Sequence, residues 1–80
     1  MNNEPINFSE EAMLHQELAV FAARHSISPA DAVVLPALFE RVAQEVGRSV
    51  RGLVADATYN NHDLGEYLAG VAKEVAAKAA

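Results

Sequence analysis

The sequence predicts an all-α protein: a small bundle of three main helices, with a short helix between the first two. Three observations lead there. Apolar residues recur at three- and four-residue spacing along most of the chain. No stretch alternates apolar and polar residues as a half-buried strand does. Recognisable start signals stand before the periodic segments. The expected helices span about 9–25, 29–34, 36–58 and 61–78, with residues 1–8 a flexible tail and 9–80 a single domain.

The first helix follows the stretch MNNEPINF. Ser9 fits its N-cap, Glu10 and Glu11 suit the positive end of the helix dipole, and Phe8 with Met13 fits a hydrophobic staple. Leu14, Leu18 and Phe21 then follow at helical spacing, with His25 on the same line, and the helix is expected to stop around His25–Ser26. The second start is Ser28 as cap, Pro29 in the first helical position and Asp31 three residues after the cap. Pro36 interrupts this helix. Its ring clashes with the carbonyl four residues earlier and biases Leu35 away from helical angles. Val33 and Val34 are out of phase with the apolar positions beyond Pro36, so a new helix is expected to begin there.

In that third segment Leu35, Leu38, Phe39, Val42, Val46, Val50, Leu53 and Ala57 fall within an arc of about 120°. The phase runs through Gly47, which favours one long helix over 36–58. In such a helix Gly47 and Gly52 lie off the arc, each costing about 1 kcal/mol against alanine. The competing pattern is a DNA-reading helix-turn-helix, which Ala43, Gly47 and Leu53 fit. Arg48 and Asp56 break that pattern at positions that are usually apolar, and Arg48, Ser49 and Arg51 make a thin set of donors for base edges. The single helix is the simpler account.

Asn60 or Asn61 suits a left-handed helix end or the cap of the last helix, with His62 and Asp63 in its first turn. Leu64, Leu68, Val71 and Val75 make an apolar stripe with Tyr67 at its edge. Beside it runs a line of small residues, Gly65, Ala69, Ala72 and Ala76. Lys78 suits the negative end of the helix.

A chain of 80 residues builds a thin core, and with no cysteine it has no disulfide or thiolate staple, which makes oligomerisation a reasonable source of further burial. Eleven acidic against six basic residues, a formal charge of −5, oppose generic attraction to phosphate backbones. No signal peptide and no membrane-spanning run are visible, so a cytoplasmic protein is expected.

Arg41, Arg48 and Arg51, with Gln44, share one face of the expected long helix. This basic face suits a phosphate backbone or an acidic partner, but equally an ordinary solvated surface whose arginines pair with nearby acids. His15, His25 and His62 lack metal-ligand spacing, so no metal site and no cofactor are expected. Tyr59, His62 and Asp63 carry acid–base groups, but neighbours at a helix start point in different directions and capping accounts for the stretch. No enzyme is expected.

The line Gly65, Ala69, Ala72 and Ala76 lets another backbone come close. It fits an interface with a second copy or a protein partner, with Met13 and Val20 extending the apolar surface; it also fits packing against the chain's own third helix. The leading expectation is a non-enzymatic helical interaction or regulatory protein that self-associates. A small nucleic-acid-binding regulator using Arg41, Arg48 and Arg51 is the alternative.

Overall fold

The structure is a computed structural model that describes residues 10–79. The expected tail, the Ser9 cap and the Phe8 staple lie outside the described residues. Helix α1 (Glu10–Arg24) is followed by a one-turn helix α2 (Pro29–Ala32), α3 (Leu35–Val46) and α4 (Val50–Ala55). A π-helical turn (Asp56–Asn60) then leads to α5 (His62–Ala79). No strand occurs among the described residues. The all-α bundle is as expected; its third helix is not.

Helix α1 ends where the apolar line stops. Ser26 takes a left-handed conformation (φ 56°), unusual for a residue with a Cβ. Its amide donates to the Ala23 carbonyl at 3.4 Å, and the Ile27 amide donates to Ala22 at 2.9 Å. This pair of bonds satisfies the last carbonyls and folds the buried Ile27 side chain under the helix end. Ser28 caps α2 as its spacing predicts, its Oγ accepting from the Asp31 amide at 3.2 Å. Pro36 lies in the first turn of α3, where the missing N–H has no partner to lose. Leu35 keeps helical geometry as the first residue of α3, despite the bias from the following proline.

The expected continuous helix over 36–58 is broken at Gly47. Its φ of 71° is left-handed, and the Arg48 amide turns back to the Ala43 carbonyl at 2.9 Å. This is the same closing pattern as at the end of α1. Ser49 then caps α4, accepting from the Gly52 amide at 3.0 Å. Periodicity missed the break because it reports the azimuth of a side chain about an axis, not the direction of the axis. The burial pattern does register it. Val46, inside the apolar arc, is 56% exposed, whereas Ala43 and Val54, outside it, are buried.

Helix α4 widens into a π turn, in which the Asn61 amide donates to the Asp56 carbonyl five residues back at 2.7 Å. Asn61 is extended and caps α5, its Oδ1 accepting from the Leu64 amide at 3.0 Å. The segment from α4 through the π turn is the inner strut of the fold: it packs against α1, α3 and α5 and buries Leu53, Val54, Ala57 and Thr58. Around it close Phe21 and Phe39, fully buried and edge-to-face with ring centroids 5.1 Å apart.

Helix α5 packs through its small residues. Gly65, Ala69, Ala72 and Ala76 are buried together with Leu68, while Leu64 and Val71 are half-buried and Val75 is 40% exposed. A Cβ on Gly65 would collide with the Ala57 carbonyl oxygen. Gly70, on the open side of the same helix, has nothing within 4 Å of that position.

Three glycine-to-alanine variants therefore differ in sign. Gly65→Ala is expected to lose roughly 1–3 kcal/mol, the cost of overpacking. Gly47→Ala is expected to lose about 1–2 kcal/mol for its left-handed backbone. Gly70→Ala gains about 0.5–1 kcal/mol of helix propensity. Urea midpoints check all three; a gain for Gly47→Ala would restore the unbroken helix.

Candidate functional site

The residues singled out from the sequence do not converge on one surface. Gly65, Ala69, Ala72 and Ala76 line the interior of the single chain, so packing against its own fold is what the small-residue line does here. Met13 and Val20 are half-buried. They line a shallow groove of about 220 Å³ with Gln16, Glu17 and the exposed Tyr59, and none of the four small residues belongs to it.

The three arginines belong to separate ion pairs. Arg41 faces Glu45 one turn on at 3.8 Å. Arg48 reaches Asp56 at 3.3 Å and extends toward the Gly52 carbonyl at 3.4 Å. Arg51 meets Glu17 of α1 at 3.9 Å. Arg48 and Asp56, the two departures from the helix-turn-helix pattern, are thus partners that tie the turn to the start of the π segment. With the helix broken at Gly47, no continuous face carries all three arginines.

Two other surfaces stand out. The first is an apolar groove of about 260 Å³ lined by Val34 just before α3, by Ala37, Leu38 and Arg41 of α3, and by Val75 of α5. It exists because α5 turns its alanines inward and leaves its valine edge outside. Sequence reasoning put Val75 in the core stripe and missed the groove, although Val33 and Val34 being out of phase was its signal.

The second is a polar cavity of about 420 Å³ at the π turn, lined by residues 57–62 together with Arg24, His25 and Glu66. The end of α1, the π turn and the start of α5 meet here. The Arg24 guanidinium lies 5.4 Å from the centre of the Tyr59 ring. His62 Nε2 and Glu66 Oε2 are 2.9 Å apart, one turn apart on α5. Thr58 is only 6% exposed, and its hydroxyl has no hydrogen-bond partner. His25 stacks at 4.6 Å on the Phe21 ring. Partial burial, with the His62 charge next in importance, holds its pKa below the usual 6.5, and Glu66 opposes this only in part.

From the sequence, capping accounts for the Tyr59–Asp63 stretch. Asn61 does cap α5, yet the wider π turn also brings Tyr59, Asn60 and His62 to one cavity wall. Among the described residues no group of three or more His, Cys, Asp or Glu side chains is arranged to hold a metal ion. Among them, too, no helix is long and apolar enough to cross a membrane. Comparison with protein-family models, curated proteins and solved structures finds no match to this chain.

The depressed pKa of His25 fixes a sign for stability against pH. Below about 6.5 the unfolded chain takes up a proton that the folded chain resists, so stability falls as pH drops from there toward the folded value. The urea midpoint is expected to be higher at neutral pH than in mild acid. That difference shrinks in His25→Gln; an undiminished difference would assign the effect to other groups.

Proposed function

We propose that the protein is a non-enzymatic, cytoplasmic helical interaction module that associates with a second copy of itself through the groove between α3 and α5. The observation that carries this reading is the outward valine edge of α5. Val75 is 40% exposed and lines one apolar groove with Val34, Ala37 and Leu38, and Val33 beside it in the chain is 74% exposed. Isolated exposed valines are ordinary, but apolar side chains from two helices lining one concave surface are what a helix–helix contact needs.

The charges at the groove favour a second copy as the occupant. Arg41 lines the α3 side, and the exposed Glu74 adjoins Val75 on α5. In a two-fold contact each α3 side faces the partner's α5 side, so arginine meets glutamate twice. The thin core of an 80-residue chain without cysteine gives such burial a large share in total stability. The interface is therefore proposed at Val34, Ala37, Leu38 and Val75 rather than at the small residues, whose replacement would unfold the chain before testing association. The arginines give the nucleic-acid alternative no comparable support, since the break at Gly47 leaves no continuous face that carries all three.

Sedimentation or light scattering from micromolar to millimolar concentration is expected to give a dimer. Ala37→Glu and Val75→Glu, both at exposed positions, are expected to give monomers with unchanged helical circular dichroism. A wild-type protein that stays monomeric throughout that range would overturn the reading.

A further inference from the structure

We propose that the polar cavity at the π turn is a binding site for a small organic oxyanion, a carboxylate or phosphate group carried on a compact body. The site is separate from the α3–α5 groove and does not depend on it. Its size, about 420 Å³, is within the range of about 300–1,000 Å³ typical of small-ligand pockets and exceeds the needs of a bare ion.

Four features on the cavity wall favour an anionic head. Arg24 stands over the Tyr59 ring, its guanidinium carbon 5.4 Å from the centre, and its fork of N–H groups suits a carboxylate or phosphate. The first turn of α5, an 18-residue helix, opens at Asn61 and His62, where backbone N–H groups and the helix dipole favour negative charge. Thr58 lines the same wall and is more than nine-tenths buried, with a hydroxyl that no protein group satisfies. An unpaired hydroxyl shielded from solvent is costly, and a ligand oxygen that reached it would relieve that cost. Finally, the carboxylate that would repel an anion, Glu66, is engaged by His62 at 2.9 Å. Arg24 lines this wall, and Glu66 is the single carboxylate residue among its lining side chains. The rings of Tyr59, His25 and His62 provide flat walls for the body of the ligand.

The test is a titration of the isotope-labelled full chain with phenyl phosphate and benzoate, followed through backbone amide shifts, with benzamide as the uncharged control. Saturable shifts are expected at Thr58, His62 and Asp63 with at least one of the two anions and none with benzamide. The tighter of the two identifies the head group as phosphate or carboxylate. Arg24→Gln is expected to weaken binding about tenfold, the loss of a charge-assisted contact. Thr58→Val is expected to weaken binding while leaving the unliganded chain as stable or more so, because it removes a buried unpaired hydroxyl without changing shape. That opposition separates a binding role from a structural one. The proposal is overturned if neither anion gives saturable shifts, if benzamide binds as well as benzoate, or if Arg24→Gln and Thr58→Val leave affinity unchanged.

Discussion

The seating of α5 on the π turn is the contact from which most other features of this structure follow. Gly65 lies over the Ala57 carbonyl with no room for a Cβ, and Ala69, Ala72 and Ala76 continue the buried face along the helix, which also packs against α2. Small side chains bury less apolar area each than valine or leucine, but they let a helix come closer to the elements it packs on. Once α5 is committed to this face, its orientation about its own axis is settled. Leu68 goes in, Val71 stays at the margin and Val75 is left outside. The apolar groove is therefore a by-product of how the core closes.

The same contact shapes the polar end of the molecule. The π turn lets the chain leave α4, pass through the extended Asn61 and start α5 with Gly65 at the right height. A wider turn of this kind is rare in proteins and concentrates at functional sites. Here it gathers Tyr59, Asn60 and His62 beside Arg24 and His25 from the end of α1. Capping by Asn61 and formation of the cavity wall are two consequences of one backbone path, not competing explanations of the same residues.

Charge has a different role from the one its distribution along the chain suggests. Of the three arginines in 41–51, Arg51 ties α4 to α1 through Glu17, and Arg48 braces the Gly47 turn through Asp56. Exposed pairs such as Arg41–Glu45 contribute little, about 0.3–0.5 kcal/mol at this spacing. The pairs matter more for what they exclude. Arginines already facing carboxylates, in a chain of net charge −5, leave a weak field for a nucleic-acid backbone.

How much was legible follows from the range of each interaction. The caps at Ser28 and Asn61, the stop at His25–Ser26, the restart near Pro36 and the all-α class were readable because hydrogen bonds and steric rules within a few residues decide them. Ala43, Gly47 and Leu53 also carried the turn signal, but the apolar phase overrode it, since a short turn can restore the azimuth while redirecting the axis. Which of two adjacent stripes on α5 enters the core was not readable: valine and alanine are both apolar, and only the close approach to Ala57 selects the alanines. The cavity was equally hidden. Its residues come from three elements, and a π turn, whose bonds span five residues, has no local sequence signature. The sequence by itself determined the all-α class and the helix ends set by caps and proline, because those are short-range; only the tertiary structure decided the break at Gly47, the π turn and which faces meet, because those depend on how the axes turn and how closely backbones can pack.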